Sequence, residues 1–107
     1  MRSHQWIDQR SLALDRAIAE KLRADPSQLE RVRATLRRWI ASRQPAVPRD
    51  LLEWQEILDR YPLEEVLTLL TRDDERMRRL RQSSPFCGVL STEERLAILE
   101  EYETLRA

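Results

Sequence analysis

A chain with one glycine and no asparagine in 107 residues has little with which to build tight hairpins. Two-residue β-turns need backbone φ angles above zero, which glycine and asparagine adopt at low steric cost. Glycine alone averages roughly 7% of ordinary sequences. The scarcity predicts an all-α protein, and the spacing of apolar residues divides it into a compact bundle of five or six short helices.

The first helical pattern runs from about Gln5 to Arg23, with Ile7, Leu14, Ile18 and Leu22 along one face and Leu12 and Ala19 broadening it. It stops at "ADPSQLE", where Asp25 can cap a second helix, Pro26 suits its first position and Gln28 completes a capping box. That helix turns Leu29, Val32, Leu36 and Trp39 or Ile40 inward. Prolines 45 and 48 mark a linker near residues 43–48 within a single domain of 1–107. A short third helix follows on Leu51, Trp54, Ile57 and Leu58, and Tyr61-Pro62 ends it. Pro62 opens "PLEEVLTLL", whose apolar content predicts a central helix. Residues 73–81 carry acidic groups first and arginines after, the order that a helix dipole favours, with a narrow Met77–Leu80 edge. The last helix opens on the capping box "STEE", Ser91 to Glu94. It carries two apolar lines, one on Leu96 and Leu99 and another on Ile98, Tyr102 and Leu105, which predicts two contacts.

A chain of this length can bury one real core without staples. Its longest apolar run is far short of the roughly 20 residues of a membrane span, and no apolar leader is visible at the start, so no membrane contact and a cytoplasmic location are expected. One cysteine and one histidine exclude an internal disulfide and leave no ligand cluster for zinc, so neither metal nor cofactor is expected.

Nineteen basic and nineteen acidic residues cancel overall but are unevenly placed. Residues 1–50 hold 11 basic and 6 acidic side chains, whereas residues 51–71 hold 1 and 5. A nucleic-acid binder needs a basic surface to displace phosphate counterions. The local candidate is Arg31, Arg33, Arg37 and Arg38, with Trp39 placed to stack beside them, and its competing reading is a solvated face paired with the acidic middle segment. Nucleic acid is the second choice of partner. The three tryptophans fall on apolar faces and are expected in the core; any left exposed would be a contact hot spot.

No catalytic set emerges. Cys87 is the one credible nucleophile, and its only possible histidine base, His4, lies far away in sequence, so a buried or interface thiol is the simpler reading. The pairs Glu64/Glu65, Glu93/Glu94 and Glu100/Glu101 are adjacent in sequence and diverge by about 100° on a helix, which argues against a shared carboxylate site.

The chain's only phenylalanine, cysteine and glycine stand together in "SSPFCGVLS". Pro85 disfavours helix at Ser84, and Gly88 permits a positive φ, so this is a shaped turn. Either Phe86, Val89 and Leu90 cover the end of the bundle, or part of the turn stays exposed as an apolar anchor. In the second case Pro85, Phe86, Gly88 and Leu90 would contact a protein partner, with Arg78, Arg79 and Arg81 as a charged rim.

The segments "SLALDRAIAEKLRADP", "EWQEIL", "PLEEVLTLL" and "LRQSSPFCGVLSTEERLAIL" carry a resemblance to small helical bacterial proteins with an RQ-SPF-G-L-ER signature. Here that signature is Arg81, Gln82, Ser84, Pro85, Phe86, Gly88, Leu90, Glu94 and Arg95. Such proteins resemble antitoxin-like partners encoded beside nucleotidyltransferase-type toxins. The resemblance implies a non-catalytic protein-binding module that occludes a toxin enzyme, and it carries over no catalytic residue. A homodimer is the remaining alternative.

Overall fold

The computed structural model describes residues 2–106, with side chains described from residue 6 to residue 103. Six α-helices account for most of them: α1 (Arg2–Ala24), α2 (Gln28–Ser42), α3 (Arg49–Arg60), α4 (Leu63–Leu70), α5 (Glu75–Leu80) and α6 (Thr92–Arg106). A 3-10 turn at Arg81–Ser83 follows α5, and no strand occurs among the described residues.

Each boundary has a local cause. The Asp25 carboxylate accepts from the Ser27 amide at 3.2 Å and from Gln28 Nε2 at 3.1 Å. The Ser27 hydroxyl, which donates at 2.5 Å, leads these bonds in holding the Asp25 pKa below the usual carboxylate range, followed by Gln28. Pro26 and Ser27 form a turn instead of the first helical residues, and α2 begins at Gln28, slightly later than the capping pattern predicts. Pro62 precedes α4, and its carbonyl accepts from the amides of Glu65 and Val66 at 3.0 and 3.1 Å. At α5 the Asp74 side chain caps the Met77 amide at 2.9 Å.

One continuous apolar cluster runs from Ile18 on α1 through α2, α3, α4 and α5 to Leu90, so the proline linker separates two helices of one core. Its centre is Trp54, fully buried, whose indole nitrogen donates to the Leu80 carbonyl at 2.9 Å. Phe86, also fully buried, meets that indole edge-on with ring centroids 5.4 Å apart. Val66, Leu67, Leu69 and Leu70 are all buried, which makes α4 central as its composition predicts.

The three tryptophans diverge. Trp54 is core, Trp39 is half-buried against it, and Trp6 is half-buried outside it, with Nε1 donating to the Tyr102 carbonyl at 3.1 Å and the Arg10 guanidinium 5.0 Å over its ring. Trp6 to Tyr102 and Lys21 to Glu94 place α1 and α6 side by side in opposite directions. The radius of gyration is 14.2 Å, against about 13 Å for a compact chain of this length. A 23-residue α1, roughly 35 Å long by helical rise, accounts for much of the 43 Å long axis.

Candidate functional site

The "SSPFCGVLS" turn is built from the inside. Pro85 and Phe86 are fully buried, and Val89 and Leu90 nearly so. The turn closes through Val89 N–H to the Phe86 carbonyl at 3.0 Å, and Arg95 of α6 donates to the Cys87 carbonyl at 2.6 Å. Turning Phe86 and Val89 inward sends Cys87 and Gly88 outward, so of the two expectations for the thiol, buried or interface, the buried one does not hold. Gly88 does not use a positive φ, contrary to expectation.

These placements correct the candidate partner surface. Phe86 and Leu90 belong to the buried core cluster and Pro85 is fully buried, so none of the three offers an apolar anchor at the surface. Arg81 is withdrawn for a different reason: its side chain is only 5% exposed. Its Nε donates to Asp15 on α1 at 2.9 Å, and Nη2 donates to the Leu70 carbonyl at 2.9 Å and to the Arg72 carbonyl. The last two would otherwise be orphan acceptors at the end of α4. Arg81 thus ties α1, α4 and the turn together.

Asp15, 4% exposed, was not a candidate, although the sequence carries its signal: it lies three residues after Leu12 and four before Ala19, on the apolar stripe of α1. Burial pushes its carboxyl up to about 6, against the lowering effect of the Arg81 charge and hydrogen bond. Nothing in this pair suggests catalysis; it is a buried cross-link.

Arg78 and Arg79 stay at the surface but are engaged. Arg79 bridges Asp50 and Glu53 of α3, Arg76 reaches Glu53 at 2.7 Å, and Arg78 pairs with Asp73 at 3.1 Å. Glu53 is held below the usual carboxylate range chiefly by Arg76. Within the acidic middle segment Glu53 pairs with α5 and Glu56 with Arg60 of its own helix, and among the described residues none of its carboxylates pairs with an arginine of α2.

The α2 arginines separate into two pairs. Arg33 donates to Glu30 at 2.7 Å and to the Leu58 carbonyl at 2.8 Å, and Arg37, one turn on, lines the same small cleft against α3. Arg31 and Arg38 lie on another side. Among the described residues Arg31, Arg37 and Arg38 make no ion pair and Arg33 pairs with Glu30 of its own helix, so the expected pairing with the acidic middle segment is met for none of the four. Trp39 opens onto a different cleft with Ser42 and Pro48, and it does not flank the Arg31–Arg38 side.

The last helix is the least buried. Its capping box forms as predicted: the Ser91 amide donates to Glu94 Oε1 at 2.8 Å, and the Glu94 amide to Ser91 Oγ at 3.1 Å. The Lys21 ammonium at 2.8 Å, with the Ser91 amide, pulls the Glu94 carboxyl down to about 2. None of the described α6 residues is fully buried. Ile98 packs against the core, while Leu96 is 56% exposed and Leu99 half-buried. Leu105, the end of the Ile98 line, and His4, the only histidine, lie outside the residues whose side chains are described.

Among the described residues no group of three His, Cys, Asp or Glu side chains could hold a metal, and no helix is long and apolar enough to cross a membrane. No protein-family model, no curated protein and no solved structure matches this chain.

Proposed function

We propose that this chain is a non-catalytic protein-binding module of the cytoplasm, an antitoxin-like partner that neutralises a toxin enzyme by covering its active site. The observation that carries the reading is α6. A 15-residue helix owes most of its stability to burying an apolar face, yet no described side chain of α6 is fully buried. On its Leu96–Leu99 line Leu96 is open and Leu99 half-buried, and Ile7 on the adjacent α1 is 42% exposed.

The partner's chemistry follows from charge. Residues 92–103 hold five glutamates and one arginine around that edge. An acidic helix with an apolar edge complements a basic cleft, the surface that an enzyme acting on nucleotides or nucleic acid presents to phosphates. The docking surface is then the α1–α6 edge, with the "SPFCG" turn serving to fix α6 in place through Arg95.

The test is a paired pull-down from the native host with the tagged wild type and a Leu96→Arg/Glu101→Arg variant. The wild type retains one protein stoichiometrically, and an equimolar amount inhibits that protein's enzymatic activity. The variant keeps its helical circular dichroism and loses at least tenfold in affinity. Retention of nucleic acid alone, a dimer with no other partner, or a partner indifferent to the variant would overturn the proposal.

A further inference from the structure

We infer that the groove between α2 and the "SPFCG" turn is a binding site for a phosphate-bearing ligand, separate from the α6 surface. Arg31, Thr35 and Arg38 form one wall and Pro85, Gly88 and Val89 the other, and no carboxylate lines it. Its volume of about 330 Å³ lies at the lower end of small-ligand pockets, roughly 300–1,000 Å³.

Three independent features converge on it. The first is charge left unspent. Arg31 and Arg38 are seven residues apart, two helical turns on one stripe, so their backbone positions lie about 10 Å apart along α2 and both side chains line the groove. Most other described arginines reach a carboxylate or a carbonyl, but these two make only 3.4 Å contacts to the neutral oxygens of Gln28 and Thr35. Contacts of that length are at the outer limit of hydrogen bonding and are readily exchanged for an anionic oxygen.

The second feature is the lone glycine. Its φ is not in the left-handed region, and a Cβ added to it would meet no atom within 4 Å. Neither backbone nor packing therefore demands glycine at position 88. What the missing side chain does is leave open space at a residue that lines the groove.

The third is the construction of the groove itself. Val32, Pro85 and Val89 are buried members of the fold, so they fix the floor of the groove, and the reachable groups above it are Arg31, Thr35, Arg38 and Gly88. The Thr35 hydroxyl lies between the two arginines along α2 and adds a neutral hydrogen-bonding group. A rigid floor, two cations with no carboxylate partner and a hydroxyl make a receptor for the phosphate of one nucleotide unit, either free or within a single strand.

The test is a titration of the ¹⁵N-labelled full chain, at 50 mM salt, with two probes: AMP, and a ten-nucleotide single-stranded DNA. The expected result is a set of amide shifts centred on Thr35, Gly88 and Val89, with affinity falling steeply as salt is raised. Arg31→Glu/Arg38→Glu should weaken binding at least tenfold. Gly88→Val should weaken it through shape alone, with no loss of melting temperature. Binding of AMP as well as the strand assigns the site to a free nucleotide, and binding of the strand alone assigns it to nucleic acid. No shift with either probe at millimolar concentration, or equal affinity in the double-glutamate variant, overturns the inference.

Discussion

Phe86→Ala lowers the unfolding free energy by about 3–5 kcal/mol, measured as a shift in the urea midpoint at unchanged slope. The ring is fully buried and meets Trp54 edge-on at 5.4 Å, so truncation removes the transfer energy of the ring and leaves a cavity against the largest side chain in the core. Trp54 is pinned by its bond to the Leu80 carbonyl, which limits how far it can move to fill the space. Domains of this size have about 5–15 kcal/mol in total, so the variant survives with a melting temperature lower by at least about 12 °C. Cys87→Ala is the matched control: the neighbouring residue is exposed, and its replacement stays within about 0.5 kcal/mol. A Phe86→Ala variant within 1 kcal/mol of the wild type, by the same approximate scale, would refute the burial of this turn.

Arg81→Met costs about 3–5 kcal/mol at neutral pH, and about 1.4 kcal/mol of that disappears as the pH falls from 7 toward about 5. The sign follows from Asp15. Its carboxyl in the folded chain stands at about 6 against 3.8 unfolded, so the folded state holds the proton more tightly. The stability this supplies is full below about pH 4 and is lost as pH rises through about 6, a change of about 3 kcal/mol for two units. Above that range Asp15 is a buried anion that depends on Arg81. Without the guanidinium its carboxyl titrates higher still, so the penalty opens above pH 6 and closes where the carboxyl is neutral. Part of the cost persists at every pH, because the Leu70 and Arg72 carbonyls also lose their donor. Urea unfolding of both proteins from pH 4.5 to 8 checks this, and a gap independent of pH would contradict it.

The helices were legible because their signals are local. The capping box at Ser91–Glu94 and the prolines before α3 and α4 act through neighbouring backbone atoms, and apolar spacing alone identifies Leu51, Trp54, Ile57 and Leu58 as inward-facing. The candidate site was legible only in part. "SPFCG" announced itself as a shaped turn, but which side of it faces the core depends on Trp54, more than 30 residues earlier in the chain. The resembling signature proves to be largely architectural: Arg81, Pro85, Phe86, Leu90, Glu94 and Arg95 are all occupied inside the molecule, and Gly88 alone of its apolar members faces outward. Charge was the least legible quantity. Arginines 31, 33, 37 and 38 look alike in sequence, and only the third dimension shows that α3 offers a carbonyl to Arg33 while Glu53 is taken by α5.

The last helix is fastened by polar clasps, Lys21 to Glu94, Arg95 to the Cys87 carbonyl and Trp6 to the Tyr102 carbonyl, together with the half-buried Ile98. Such fastenings are individually weak in water and break without exposing the Trp54–Phe86 centre. The chain therefore has two tiers of cooperativity: α6 lifts away as a unit at far lower free energy than the rest unfolds, and its amides exchange with solvent through that partial opening. A ligand that clasps α6 would raise the lower tier alone, so its protection would be written in the exchange rates of this one helix while the melting of the core stayed nearly unchanged.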